Sequence, residues 1–372
     1  MNPPTALTES EIVLNRNGER VISADSHVAI TQDQIKARLA TRWHSAYDEA
    51  QQAFAAAMAS NMAQAKVNMD AMKRNQHAAF TRPGYGDGPS RLADMDADGV
   101  DVEVIYSEVS AFRYIRDMRE GIAEATRAFN DVLTEFASAD PRRLVVNYQI
   151  PINDIPMAIA EVQRVAAAGA KALQIPVFPT EIGQPDYYDE RYAPLWDAIG
   201  EVGLPLACHI GVNTNLDDLT RRDPTAYKGV MVPMAALSTA EAFGMWILGG
   251  VLERHPDLRL VFVEPGLGWI AWYLDVIDDM VLRQGYSFEY ISELPSTYFH
   301  RNIAVTFIDE PDSLTLLRHK VGVDNMLWST DFPHPVTSWP DSQDLIERAF
   351  ADIPADEKRK IICDNAARIW RL

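Results

Sequence analysis

Four residues with metal-binding chemistry, Asp25, His27, His209 and Asp331, each stand at or just beyond the end of a short, β-branched-rich apolar run. Asp25 and His27 are two positions apart, so on an extended chain both side chains point the same way and can reach one ion. Two imidazoles with two carboxylates suit Zn²⁺, Mn²⁺ or Fe²⁺ and fit Ca²⁺ poorly. The two carboxylates also neutralise a dication, leaving positions open for water or another small molecule. Taken singly these signals are weak. Asp-x-His is a short pattern, and a lone histidine at a strand end is ordinarily a satisfied polar residue. The weight lies in three separate strand ends supplying ligands.

The elements that must position those residues follow from the same runs. Strands are predicted at 20–25, 100–106, 143–149, 170–175, 203–208, 258–263, 302–307 and 325–330. Helical periodicity lies between them, for example over 155–168, 192–202, 239–255 and 313–319. Strand alternating with helix implies parallel pairing through right-handed crossovers. Eight such strands close a (β/α)8 TIM barrel, whose catalytic groups gather at the carboxyl ends of the strands. On this reading Asp25 closes strand 1, with His27 two residues on; His209 follows strand 5 and Asp331 follows strand 8. An open doubly wound sheet would favour a glycine-rich turn after its first strand, whereas Ala24-Asp25-Ser26-His27 has no glycine.

The whole of 1–372 is predicted to form one domain, which is long for a barrel but within the range that insertions allow. The excess is a helical insertion after strand 1, at 31–92, rich in Ala, Gln and Met up to about residue 82 and then turning at Pro83-Gly84-Tyr85-Gly86-Asp87-Gly88-Pro89. It leaves from the catalytic face, so it either caps the site or serves as a packing or oligomerisation helix. A second excursion on that face spans 209–238. Apolar residues at 47% and charged residues at 23% are ordinary for a folded domain. A formal charge of −19 excludes a nucleic-acid partner, since no basic stripe offsets it. Two distant cysteines, Cys208 and Cys363, indicate no disulfide framework and a cytoplasmic protein. No leader-like segment and no run of 18 apolar residues is present, so no membrane association is expected.

Further motifs occur in a fixed order. Asp25-Ser26-His27, Cys208-His209-Ile210-Gly211, Val263-Glu264-Pro265-Gly266-Leu267-Gly268-Trp269 and Trp328-Ser329-Thr330-Asp331-Phe332-Pro333-His334 are followed by Asp364-Asn365-Ala366-Ala367-Arg368. Together they resemble the amidohydrolase-related family, the branch of the amidohydrolase superfamily with aminocarboxymuconate-semialdehyde decarboxylase and the resorcylate-type decarboxylases. The resemblance spans roughly 20–372. It implies a (β/α)8 barrel, a mononuclear site for one divalent ion (Zn²⁺ first, Mn²⁺ next), a small-molecule substrate and a homodimer or tetramer. By position, Asp25 and His27 take the place of the strand-1 ligands and His209 that of the strand-5 ligand. Asp331 takes the place of the strand-8 aspartate, which both binds metal and moves protons. There are departures. Many members open with His-x-His where this chain has Asp25, and relatives with Asp-Ser-His often carry a glutamate where Ile30 stands. Many place a histidine at the strand-6 end, where this chain has Glu264. Lys171 lies near the start of strand 4 and not at its end, which argues against a carbamylated-lysine dinuclear centre.

Other candidates have plain structural readings beside the chemical ones. Glu264 is a ligand, an acid–base group or a partner of His209, with the last two favoured. His334 either polarises a substrate carbonyl, orients Asp331, or is a loop histidine. His255 reads as a helix-end residue, and His300 and His319 as surface. His44 and His77 belong to the insertion and could reach in from it. Trp269 and Trp272 are expected in the layer between barrel and helices, and Cys208 away from the mouth. Arg113 is a candidate partner for a substrate carboxylate.

Two reactions fit the expected site, with Asp331, His334 and Glu264 as the catalytic set. In a decarboxylase, Asp331 delivers a proton to the carbon that loses CO2, while the metal steadies the electron-rich intermediate. In a hydrolase, bound water falls from a pKa of about 15.7 to roughly 7, and Asp331 takes its proton. Decarboxylation of a small aromatic or unsaturated carboxylic acid is the preferred expectation. A third reading, a barrel that binds a small ligand without catalysis, predicts no bound metal.

Overall fold

The computed structural model describes residues 18–372 apart from 67, 69, 71–79, 108–114, 116, 212–215 and 226–227. His77 and Arg113 lie outside the described residues.

Eight parallel strands run in the order of the chain. They are β1 (Ile22–Val28), β2 (Val102–Ser107), β3 (Leu144–Gln149), β4 (Ala172–Ile175), β5 (Leu206–His209), β6 (Leu260–Val263), β7 (Ile303–Phe307) and β8 (Met326–Trp328). Every strand residue is buried, because the outer helices cover one face and the packed barrel interior the other. That double burial is why the strands read as apolar runs, and all eight fall on the predicted segments.

The ring closes between β8 and β1 through residues that follow β8. Asp331 N–H donates to the Asp25 carbonyl at 3.0 Å, and His27 N–H donates to the Phe332 carbonyl at 2.6 Å. Ser26 and Phe332 form an isolated parallel bridge. The seam of the barrel is therefore built from the residues that carry the candidate chemistry.

Two boundaries differ from expectation. Asp25 does not close strand 1, since β1 continues to Val28. The register passes from Ser23↔Glu103 to Ser26↔Ile105, and this bulge lets pairing resume with His27↔Tyr106. The helix expected over 239–255 begins earlier and is interrupted. It runs Met231–Leu248, breaks at Gly249-Gly250, where Gly250 has φ +71°, and resumes as Val251–Arg254. Met231–Leu248 is also the one described helix long and apolar enough to cross a membrane, yet Thr239, Ala242, Phe243, Trp246 and Ile247 on it are buried within the protein.

Within the insertion, helices span Gln32–Lys36 and His44–Gln64. The first is fixed by a capping box between Thr31 and Gln34. The second buries only Tyr47 and Ala50. Trp43 docks on Gly121, where a Cβ would stand 2.8 Å from the indole. The segment then returns through Phe80 and a 3-10 turn, Pro83–Tyr85, to the helix Gly88–Asp98 that leads into β2.

Asp98 ends that helix, 2% exposed, and accepts hydrogen bonds from Ser342 N–H (3.0 Å) and Ser342 Oγ (2.6 Å). Burial pushes its carboxyl up to about 7 against these bonds. The folded state therefore keeps this proton over a range in which the unfolded chain, near 3.8, has released it. Stability from this group is full at low pH and is lost as pH rises from about 4 to about 7. Asp98→Asn keeps an acceptor for the Ser342 amide and abolishes this titration. Urea unfolding at pH 5 and pH 8 should show a larger loss across that interval in the wild type than in the variant; parallel losses would refute the assignment.

Candidate metal centre

Asp25 and His27 enter the barrel from β1, His209 is the last residue of β5, and Asp331 lies three residues beyond β8. Their ligand atoms converge. His27 Nε2 is 3.2 Å from Asp331 Oδ1 and 3.7 Å from Asp25 Oδ1, and His209 Nε2 is 3.4 Å from Asp25 Oδ1. Three overlapping groups (Asp25–His27–His209, His27–Asp331–His334 and Asp25–Glu264–Asp331) each keep their ligand atoms within 4.8 Å of one another. Both oxygens of Asp25, both of Asp331, Nε2 of His27 and Nε2 of His209 are buried without a hydrogen-bond partner. Buried polar atoms of this kind are costly unless something binds them. A divalent cation at their centre fits, since it would engage the imidazole lone pairs and offset the carboxylate charge.

The surroundings preset that role. The Ile210 carbonyl lies 2.5 Å from His209 Nδ1, so Nδ1 carries a proton and Nε2 is the atom turned to the centre. Burial, then the nearby His334, hold His27 below its ordinary value, so it is neutral and able to donate electrons. Burial opposes charge on His209, but Asp25 and then Glu264 outweigh it and raise it to about 9. Burial raises the Asp331 carboxyl, yet His27 and His334 prevail and hold it well below the usual range. Burial and the neighbouring Asp331 push Glu264 up to about 8. Asp25, Glu264 and Asp331 bring three carboxyl groups within 4.8 Å of one another in one pocket, a donor set that suits a cation.

Glu264 and Asp331 have φ of +58° and +53°, conformations that residues other than glycine seldom adopt. Thr306 Oγ1 accepts the Glu264 amide at 2.9 Å and Asp25 accepts that of Asp331, so each turn is pinned where it aims a carboxylate inward. Glu264 Oε2 is 3.9 Å from His209 Nε2, close enough to serve as a partner or a further ligand. His334 Nδ1 is 2.9 Å from Asp331 Oδ1, and its ring stacks on His27 with centroids 3.9 Å apart. Its side chain is 20% exposed while Asp331 is fully buried, so His334 connects Asp331 with solvent.

The other sequence candidates stand apart. His44 Nε2 meets the Lys36 and Leu39 carbonyls inside the insertion and does not reach the centre. His255 pairs with Asp197 at 3.0 Å at the end of Val251–Arg254, and His319 is exposed. His300 Nδ1 lies 3.3 Å from Asn325 Oδ1. Trp269 packs on Phe243 and Tyr273 as expected, but Trp272 is 63% exposed and belongs to no layer. Burial pushes the Cys208 thiol far up, which suits no nucleophile.

Sequence reasoning missed several supports. Arg91 is fully buried, pairs with Glu103 at 2.6 Å, donates through Nε to the Gly84 carbonyl at 2.7 Å and reaches the His27 carbonyl. Glu103, a carboxylate inside an apolar strand, was the available signal for such a partner. Tyr106 lies edge-on to His209 at 5.1 Å, and Phe80 lies edge-on to His334 at 5.7 Å. Both are lone aromatics with no motif around them.

Fold and centre together define a (β/α)8-barrel enzyme with a mononuclear metal-type donor set at the carboxyl end of its strands. The chain belongs to the amidohydrolase family, whose profile matches residues 75–372. It is 27% identical over 301 residues to a gamma-resorcylate decarboxylase from Rhizobium sp., spanning 76% of this chain and 86% of that one. A 5-carboxyvanillate decarboxylase from Novosphingobium aromaticivorans, solved with manganese and 4-hydroxy-3-methoxy-5-nitrobenzoic acid, superimposes with TM-score 0.75 at 18% identity. That match covers 99% of this chain and 100% of the other. The corresponding enzyme from Sphingomonas paucimobilis gives TM-score 0.70 at 22% identity, over 95% of this chain and 99% of that one.

Proposed function

We propose that this chain is a metal-dependent decarboxylase of small aromatic carboxylic acids. The observation that carries the reading is the ring of buried, partnerless ligand atoms on Asp25, His27, His209 and Asp331, with His334 leading from it to solvent. The gamma-resorcylate decarboxylases related by sequence support the reaction and the substrate class. Zn²⁺ is the first expectation from the family resemblance; solved relatives hold manganese, so Mn²⁺ is the ion to load alongside it.

A divalent ion bound at the centre would supply positive charge to a substrate carboxylate and to the electron-rich ring that loses CO2. Asp25, His27, His209 and Asp331 would hold that ion, and the buried walls would keep bulk water from it. Asp331, ionised at rest, passes on a proton taken from His334 to the ring carbon as its bond to the carboxylate breaks. His334, at 2.9 Å from Asp331 and partly exposed, reloads Asp331 from solvent after each turnover. The balance is one proton taken up and one CO2 released per substrate. Glu264, beside His209, orients that imidazole and fills the acid–base reserve of the pocket. Phe80, edge-on to His334, makes the end of the insertion a wall of the substrate site. Two buried free cysteines agree with a reducing, cytoplasmic setting.

The test is metal analysis after loading with Mn²⁺ or Zn²⁺, then CO2 release from a panel of hydroxybenzoates, with acid release from esters and amides scored in parallel. About one ion per chain and CO2 release are expected, both lost or sharply reduced in His209→Ala, which removes one of the direct ligands. A wild type that takes up neither ion would end this reading; an ion with ester or amide cleavage and no CO2 would replace it with a hydrolase.

A further inference from the structure

On the β3–β4 side the inner face of the barrel ends in two glutamines, where barrel interiors ordinarily carry branched apolar residues. Gln149 is the last residue of β3 and pairs in register with Gln174 on β4. Both side chains point inward. The residue before Gln149, Tyr148, points out, where its hydroxyl shares a hydrogen bond of 3.0 Å with Thr134 Oγ1 on the helix Ile122–Ala137. Alternation along the strand therefore turns Gln149 into the barrel. Register carries Gln174 to the same side, since paired residues of neighbouring strands share a face. Gln174 pairs in turn with Ala207, and the ligand His209 stands two residues further along β5 on that same face. The glutamines thus border the metal centre across the barrel mouth.

Their carboxamides are linked. Gln149 Nε2 donates to Gln174 Oε1 at 2.7 Å and to Ser107 Oγ at 3.0 Å, which uses both of its protons. Among the described residues, Gln174 Nε2 and Gln149 Oε1 have no hydrogen-bond partner, and neither atom is sealed from its surroundings. Gln174 is 9% exposed and Gln149 2%. Asn147, two residues deeper on β3, is fully buried and donates to the Ile105 carbonyl at 3.1 Å, so the open groups lie at the mouth. The wall offers one open donor and one open acceptor side by side, with a hydrogen bond fixing their spacing. Two carboxamides linked in this way leave one of each whichever way the pair is turned. Neither is charged, so the arrangement suits a neutral group that both donates and accepts. A hydroxyl has that chemistry.

We propose that Gln149 and Gln174 recognise a hydroxyl on the substrate ring, in a contact separate from that of the carboxylate with the metal centre. The inference rests on the aromatic-acid reading above and makes the pair a determinant of which aromatic acid is taken. The hydroxyl donates to Gln149 Oε1 and accepts from Gln174 Nε2. A site built to bond a hydroxyl rejects the analogue without it, because its own polar groups are then left unpaired.

The test uses nitro compounds, in which the nitro group has the shape of a carboxylate and cannot leave as CO2. Isothermal titration into the Mn²⁺-loaded full chain compares 2-nitrophenol with the four isomers that add a second ring hydroxyl, with metal content checked on every sample. The wild type should bind one of the four at least about fivefold more tightly than 2-nitrophenol, and methylating the added hydroxyl should abolish that preference. Gln174→Met, which keeps the length of the side chain and removes its polar end, should bring the ratio of the two Kd values close to one. Gln149→Met should do the same, and if it is unstable Gln174→Met decides. The ratio is read because a general weakening of the site leaves it unchanged. No preference in the wild type, or a preference that survives in Gln174→Met, would overturn the proposal while CO2 release still upholds the decarboxylase. A preference lost in the variant, with no CO2 from any acid, would uphold the hydroxyl contact and remove the decarboxylase.

Discussion

Asp331→Asn should lower kcat for CO2 release by about 10²- to 10⁴-fold while leaving the far-ultraviolet dichroism unchanged. The substitution is close to isosteric, and asparagine tolerates the left-handed backbone that Asp331 adopts at φ +53°. Its amide still places an atom close to His334 Nδ1, which stands 2.9 Å from Asp331 Oδ1. What is lost is a group that can hold a proton and release it to carbon. Metal content must be read on the same samples, because Asp331 is also in the donor set. A large fall in kcat with the ion retained assigns the proton-transfer role. A fall that tracks metal loss assigns only the ligand role, and full activity would remove Asp331 from the chemistry.

The contrast between what could and could not be read from residue types has a physical basis. Strand positions were legible because a parallel barrel buries both faces of each strand, which makes Leu260–Val263 wholly apolar and leaves Thr306 the one polar residue of Ile303–Phe307. Asp25, His27, His209 and Asp331 were legible because charged groups at the ends of such runs have few structural uses. The bulge between Ser23 and Ser26 was not, since register depends on backbone geometry that no side chain announces. Nor were the positive φ angles at Glu264 and Asp331, which occur at residues whose intrinsic preferences oppose them. The path of the insertion was hidden for a different reason. Its long helix His44–Gln64 buries little, so composition places few constraints on where it docks; among the described residues of the insertion, Phe80 and Arg91 link it to the centre.

Arg91→Met should cost roughly 3–5 kcal/mol of folding stability, the largest effect expected of any single change outside the metal centre. Arg91 is 0% exposed and sits between the insertion and β1. It pairs with Glu103 at 2.6 Å, bonds to the Gly84 and His27 carbonyls, and lies over the Phe332 ring at 4.3 Å. Methionine fills much of the volume, so the loss comes from the uncompensated groups left behind. Glu103, 3% exposed, would keep a charge in a dry environment with Ser26 Oγ as its remaining contact, at 3.2 Å. A double variant, Arg91→Met with Glu103→Gln, separates the two causes. If the buried unpaired carboxylate dominates, the second change recovers much of the stability in urea unfolding. If the lost bonds to the Gly84 and His27 carbonyls dominate, it recovers little. The metal affinity discriminates further, because the His27 carbonyl bond fixes the backbone of a ligand. A double variant restored in stability but weakened for Mn²⁺ would show that Arg91 holds β1 in the geometry the centre requires, while wild-type affinity would confine Arg91 to folding.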